Sequence, residues 1–383
     1  MNDTHIRATD IANDALTVTW GDGQQSRFHS LWLRDNCACE ACGPHESGSR
    51  LQRLLDIPDD VTPAKVQTDG ATLRVIWAGD EHSSRYDADW LLRNAYTPAP
   101  LRARRKPHRT LWDAGLPEWP AVEWDRVLVD DAERYRLHAS VSELGFVLVR
   151  GLGTGHGAIE TLANEVGYIR ETHYGRIFDL ITRAKPMILA DLAGPLLPHT
   201  DEAYRRVPTG INIFHCIQPS ADGGGVSQLV DAFRVAAILR EKHPEAFELL
   251  TKVPVRHERR IEDQVITSDL PAIVLDHDGD VIEVRLNERT MTAICVDDHL
   301  MASTYAALRT AFRTAYDPAQ LVSYLLRPGE ALLFDNLRVL HARTGYSGDR
   351  FVRQTQVMRD EFFGKGAALA EKVDLPHSVL RTS

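Results

Sequence analysis

His199-Thr200-Asp201, followed far downstream by Phe334-Asp335-Asn336-Leu337-Arg338-Val339-Leu340-His341-Ala342-Arg343, decides how this chain is read. Residues two apart on an extended strand point the same way, so His199 and Asp201 offer an imidazole and a carboxylate together. His341 follows a strand and the turn-like Asp335-Asn336. A His-x-Asp tripeptide is a weak signal by itself, so its setting matters. Short apolar strands are expected at residues 210–217, 273–275, 281–285, 321–326 and 331–334, with Pro328-Gly329 turning between the last two. Helical spacing covers residues 130–144, 156–166, 231–250 and 298–312. Many short strands with a few long helices predict a mixed α+β fold, a jelly-roll core braced by helices.

Three stretches divide the chain. Residues 1–95 read as a small β-rich domain, because Ala15-Leu16-Thr17-Val18-Thr19-Trp20 and Thr72-Leu73-Arg74-Val75-Ile76-Trp77 both alternate with period two before turn residues. Residues 96–120 carry several prolines and a solvated basic cluster, and read as a linker. Residues 121–383 form the larger domain. No internal repeat is expected. Gly223-Gly224-Gly225 precedes a strand-like run rather than a helix, which argues against a dinucleotide loop.

Composition removes other classes. With 43% apolar and 26% charged residues the chain is an ordinary globular one. A net charge of −10 leaves no footprint for nucleic acid or an anionic membrane. The first residues lack a secretory pattern, and no apolar run reaches the roughly 20 residues of a bilayer span. A cytoplasmic protein acting on a small molecule is expected.

Two groups of residues suggest metals. Cys37, Cys39 and Cys42 cluster in a way that disulfide frameworks do not, and offer three thiolates to a structural zinc in a reducing compartment. His45 and His82 compete for the fourth position. His199, Asp201 and His341 form a harder set: two histidines and a carboxylate on one face of an octahedral ion leave three positions open, as in non-haem iron(II) oxygenases. Arg343, Arg350 and Arg353 follow His341, and a guanidinium there can grip a carboxylate.

With these residues in view, the chain resembles the γ-butyrobetaine hydroxylase-like branch of the taurine dioxygenase superfamily. The likeness runs through Leu31-Trp32-Leu33-Arg34-Asp35-Asn36-Cys37-Ala38-Cys39, Trp77, His82 and Trp90-Leu91, then Tyr174-Gly175, His199-Thr200-Asp201, Pro208, His215-Cys216 and the 334–343 segment. It implies His82 as the fourth zinc ligand and a double-stranded β-helix holding iron(II) through His199, Asp201 and His341. It also implies 2-oxoglutarate anchored by Arg353, with Ser227 as a second contact. The implied reaction uses O2 to convert 2-oxoglutarate to succinate and CO2 while hydroxylating an unactivated carbon. A homodimer is implied as well.

For the substrate, the likeness places Tyr174 and Phe178 as two walls of an aromatic cage for a quaternary ammonium group. Asp191, Glu202 and Arg359 stand where aromatics are expected, and Glu288 falls beside Asn287 near the expected site of a substrate carboxylate. Tyr204 joins the substrate set. The extra acids favour a small cationic substrate, a quaternary ammonium compound or an amine. The alternatives are the same chemistry on another small molecule such as an amino acid or phosphonate, a zinc hydrolase using the same three ligands, and a barrel without catalysis.

Overall fold

In the computed structural model, which describes residues 4–373 apart from 13, 45–47, 80–81, 107, 182–191 and 262, the two alternating runs become the middle strands of two three-stranded antiparallel sheets. The first sheet is Ile6–Ala12, Ala15–Trp20 and Gln25–His29; the second is Pro63–Thr68, Thr72–Trp77 and Ser83–Asp87. A short helix follows each, Ser30–Asp35 and Ala88–Asn94. Trp20 donates to Ser26 Oγ at 2.9 Å and Trp77 to Ser84 Oγ at 2.8 Å. Asn36 and Asn94 each donate to the tryptophan carbonyl four residues back. Ser26-Arg27-Phe28 thus answers to Ser84-Arg85-Tyr86, and Trp32-Leu33 with Asn36 to Trp90-Leu91 with Asn94. The expectation of no internal repeat is therefore corrected. The matches are mostly at buried or hydrogen-bonded positions, with Arg27 and Arg85 exposed on both strands, because exposed strand positions are freer to drift.

Contacts divide the chain into Met1–Lys106 and Pro107–Ser383. The division falls inside the stretch read as a linker, which also holds the helix Pro98–Arg105. The first unit has its own core, in which Leu16, Val18, Trp20 and Phe28 meet Leu73, Val75, Trp77 and Leu91.

The second unit contains a six-stranded sheet, in the order Ala121–Glu123, Phe146–Arg150, Ala331–Asp335, Ile211–Gln218, Phe351–Val357, Ile177–Ile181. A four-stranded sheet runs Leu196–His199, Val339–Arg343, Ser227–Asp231, Leu321–Tyr324. Phe146, Leu148, Leu332 and Phe334 from the first sheet pack with Leu229, Val322 and Val339 from the second. On the other face of the six-stranded sheet, Val147, Val149, Ile211 and Leu333 pack against Leu137, Val141, Ile159, Leu162 and Phe362 of the helices Asp131–Leu144, Ala158–Val166 and Arg359–Lys372. Burial on both faces explains why Phe146-Val147-Leu148-Val149 is apolar throughout rather than alternating. A third cluster joins Ala232–Lys242, Pro244–Lys252 and Asp298–Ala315. The single helix expected over 231–250 is broken at His243, since Pro244 has no N–H to continue it and restricts the residue before it.

Candidate functional site

Strand pairing assembles the His-Asp-His set. Leu196–His199 runs antiparallel to Val339–Arg343, with His199 opposite His341. Asp201 lies just past the strand end, 3.2 Å from His199 Nε2 through Oδ1 and 3.5 Å from His341 Nε2 through Oδ2. Neighbouring ligands of an octahedral ion stand roughly 3 Å apart, so the set fits one ion. His199 Nδ1 donates to the Leu197 carbonyl at 2.8 Å, which leaves the Nε2 lone pair for a metal. Asn336 fixes the backbone of Asp201 from both sides, accepting from its amide at 2.8 Å and donating to its carbonyl at 3.0 Å. Asn212 and Gln354 donate to Asp201 Oδ2 at 3.1 and 3.3 Å, leaving Oδ1 for an ion.

Charge follows the same plan. Burial holds the His341 imidazole down to about 3, so it is a neutral ligand at ordinary pH. Burial alone would raise the Asp201 carboxyl, yet His341, His199 and Arg289 hold it well below the usual carboxylate range. The turn before His341 is locked by Arg338, 2% exposed, which pairs with buried Asp231 at 3.2 Å and donates to the carbonyls of Thr110 and Glu143.

One cavity of about 200 Å³ contains this face together with Ser227, Arg343 and Arg350. Arg343 donates to the carbonyls of Leu192 and Gly194 at 2.6 and 2.8 Å. Arg350 is 8% exposed and has no ion-pair partner among the described residues. Its side chain lies against Gly225, where a Cβ would meet Arg350 Nε at 2.8 Å and where φ is +70°, so only glycine fits. Burial pulls the Arg343 guanidinium down to about 10, and the Arg350 charge beside it adds to the shift. A buried guanidinium such as Arg350 is costly without an anion, and a ligand carboxylate in the cavity can supply one.

Arg353 is placed elsewhere. Gln354 and Gln356 of the strand Phe351–Val357 face the cavity, so Arg353 points to the other side, where its Nε meets Asp179 Oδ1 at 3.0 Å and its guanidinium donates to the His156 carbonyl. Its charge is already met.

Tyr174, Phe178, Glu202, Tyr204 and Asn287 all line the cavity, with the Tyr174 and Phe178 rings 5.3 Å apart. Glu288 does not; it is exposed and accepts from the Tyr316 hydroxyl at 3.2 Å. Arg359 turns to Asp335 at 3.0 Å. Asp191 and His45 lie outside the described residues. Arg259, Gln354 and Gln356 are cavity residues that the sequence reading missed, and Arg289, which neighbours Glu288, lines the cavity as well. For the two glutamines a signal was present, since they flank Thr355 with the period of a strand.

In the amino-terminal unit, His82 Nε2 lies 3.2, 3.7 and 3.6 Å from the sulfurs of Cys37, Cys39 and Cys42. All four ligand atoms fall within 4.8 Å of one another. Tetrahedral zinc with sulfur and nitrogen ligands needs separations of roughly 3.5 Å, so the donor set fits. Burial pushes the Cys42 thiol up to about 11, and a cation held here would offset this by taking the thiolate as ligand. Arg34 donates to Cys42 Sγ at 3.3 Å.

Residues 113–357 match the family described as taurine catabolism dioxygenase TauD, TfdA family, and residues 8–92 match gamma-butyrobetaine hydroxylase-like, N-terminal. The chain is 33% identical over 356 residues to a gamma-butyrobetaine dioxygenase of a Pseudomonas species, spanning 91% of this chain and 92% of that relative. It is 32% identical over 381 residues to a trimethyllysine dioxygenase of Meyerozyma guilliermondii, spanning 95% of each. A solved candidate alpha-ketoglutarate-dependent taurine dioxygenase from Burkholderia xenovorans aligns with a TM-score of 0.50 and 14% identity, over 65% of this chain and 91% of that one, a likeness of fold. No helix among the described residues is long and apolar enough to cross a membrane.

Proposed function

The chain belongs to the taurine catabolism dioxygenase TauD, TfdA family and is an iron(II)- and 2-oxoglutarate-dependent dioxygenase; from that premise we propose that His199, Asp201 and His341 hold the iron and that Arg350, with Arg343, holds the distal carboxylate of 2-oxoglutarate. The observation that carries this is the buried Arg350 guanidinium, which has no ion-pair partner among the described residues, in the same cavity as the His-Asp-His face. A zinc hydrolase has no need of such a group. The two sheets and their shared core support a double-stranded β-helix, and the Cys37, Cys39, Cys42 and His82 set supports a structural zinc in the small domain.

Iron bound on this face supplies the oxidative chemistry, coupling conversion of 2-oxoglutarate to succinate and CO2 with hydroxylation of a C–H bond. The chain's own residues orient and shield. The Leu197 carbonyl sets the His199 tautomer, and Asn212, Gln354 and Asn336 aim the Asp201 carboxylate. Arg350 turns the distal carboxylate away from the iron face, and Ser227, opposite Arg343 in register, adds a hydroxyl at the same end. Tyr174 and Phe178 present ring faces to a cation.

The substrate is a small cationic molecule, a quaternary ammonium compound or an amine. Support comes from these ring faces, from Glu202 in the wall, and from relatives named for trimethyllysine and gamma-butyrobetaine. A homodimer and a cytoplasmic setting belong to the same reading, the first implied by the family resemblance and the second supported by a cysteine cluster gathered for a metal rather than paired in disulfides.

Succinate formation from 2-oxoglutarate, with iron(II), ascorbate and a panel of betaines, methylated amino acids and simple amines, tests the reading. Stimulation by one cationic compound is expected. No succinate with iron bound would overturn it.

A further inference from the structure

Tyr346 lies between the strands Val339–Arg343 and Phe351–Val357, buried and outside the cavity lining. Arg343 Cζ stands over its ring at 4.8 Å from the centroid, and Arg350 Cζ at 5.5 Å. Two guanidiniums of the cavity wall therefore share one aromatic ring. Arg343 also donates to the Leu192 and Gly194 carbonyls, whereas the ring is the partner that the described residues give Arg350. The backbone around Tyr346 is fastened on both sides. Its own amide donates to the Ala193 carbonyl at 3.0 Å, Gly225 donates to the Gly345 carbonyl at 3.1 Å, and Thr344 donates to the Val226 carbonyl at 3.0 Å. Asp222 accepts from the amide and the hydroxyl of Ser347, each at 2.7 Å. Gly224 runs so close that a Cβ on it would meet the Gly345 carbonyl oxygen at 2.5 Å and Tyr346 Cα at 2.8 Å.

All of these contacts fall on Tyr346 or within two residues of it. Guanidiniums this close to one ring repel each other, and the Arg350 charge contributes to pulling the Arg343 group down. An acid in the place of Tyr346 would relieve that repulsion, but it would also neutralise the charge that a ligand carboxylate needs. An aromatic ring attracts a cation through its negative face and carries no net charge. It can hold both groups in place without cancelling either charge.

We propose that Tyr346 is a positioning residue for 2-oxoglutarate, its ring holding the Arg350 guanidinium beside Arg343 before the distal carboxylate arrives. This rests on the reading of Arg350 and Arg343 as the 2-oxoglutarate anchor and deepens it. Without the ring the two like charges separate, and binding must bring them together again, which lowers affinity.

Calorimetric titration of 2-oxoglutarate into the full chain, loaded with iron(II) and without oxygen, reads this directly. Tyr346→Leu is expected to weaken binding by ~10-fold, the scale of a desolvated cation–π contact. Tyr346→Phe keeps the ring and is expected to stay within about twofold of the parent. Iron(II) affinity is expected to be unchanged in both. Trifluorophenylalanine in place of Tyr346 keeps the ring's shape and weakens its negative face, so it is expected to bind 2-oxoglutarate about threefold more weakly than Tyr346→Phe. Should Tyr346→Leu not fold, the fluorinated ring decides alone. Unchanged 2-oxoglutarate affinity in Tyr346→Leu, equal losses in the leucine and phenylalanine variants, a parallel fall in iron affinity, or no difference between the fluorinated and plain rings would each overturn the inference. Failure of the underlying reading shows separately, as unchanged 2-oxoglutarate affinity in Arg350→Leu.

Discussion

His199 and His341 are register partners across an antiparallel pair of strands, with ring centroids 4.2 Å apart. The strand Val339–Arg343 is paired on its other edge as well, setting His341 opposite Leu229 and Arg343 opposite Ser227. One central strand thus positions a proposed iron ligand and a proposed carboxylate contact two residues apart on one face. A slip of one residue would turn both to the opposite side, so pairing on both edges protects the site.

Asp201 depends on neighbours rather than on strand pairing, so removing one is expected to loosen the ion. Asn212→Leu keeps the volume and deletes the 3.1 Å bond to Oδ2. Iron(II) affinity is expected to fall by about 10–100-fold, the usual scale for a residue that orients a ligand. Anaerobic equilibrium dialysis measures it, and an unchanged affinity would show that Gln354 alone suffices.

Arg350 and Arg353 give opposite expectations. Arg350→Leu removes the buried guanidinium from the cavity, and 2-oxoglutarate binding is expected to weaken by ~100-fold or more, as for loss of one partner of a buried charge pair. Arg353→Leu breaks the pair with Asp179 and the bond to the His156 carbonyl, both outside the cavity, and is expected to change binding by less than about threefold. The reverse order would return the anchor to Arg353.

That contrast marks where the sequence was legible. The His-x-Asp tripeptide, the distant histidine and the cysteine cluster are short-range patterns, and each side chain stands in the cluster its spacing suggested. Choosing among three arginines needed the facing of one strand, and a shift of one residue decides it. Gln354 bonding to Asp201 settles which side faces the cavity, and no spacing shows that bond. The repeat in the small domain was hidden for a related reason. Its signature is two tryptophan-to-serine bonds and two asparagine caps, separated by positions that solvent leaves unconstrained.

The cysteine cluster makes a separate prediction about stability. Cys39→Ser or His82→Ala is expected to lower zinc content by one ion per chain, and to reduce the stability of the amino-terminal unit by several kcal/mol, since binding free energy at such a site is folding free energy. Metal analysis gives the first. Fluorescence-monitored unfolding follows the second through Trp32 and Trp90, whose rings lie 5.5 Å apart in that unit. Full zinc retention in both variants would place the metal elsewhere.

Two buried histidines away from the iron face set the response to acid. Burial holds His138 down to about 3, with Lys365 adding to it, and His257 down to about 4, with Arg285 adding to it. In the unfolded chain both take a proton near the ordinary value of about 6.5. Below that pH the unfolded state binds more protons than the folded one, so stability falls as pH falls from about 6.5 toward the folded values, and is constant above. Each histidine contributes a slope of ~1.4 kcal/mol per pH unit in that window, or about 2 kcal/mol between pH 6.5 and pH 5. His138 has no exposed surface and its ring packs on Phe362 at 4.4 Å, so His138→Phe keeps the contact and deletes the proton site. Urea unfolding at pH 7.5 and pH 5 is expected to show a smaller loss of stability for the variant than for the parent. Equal losses would mean that His138 is already protonated in the folded protein and that acid acts through other groups.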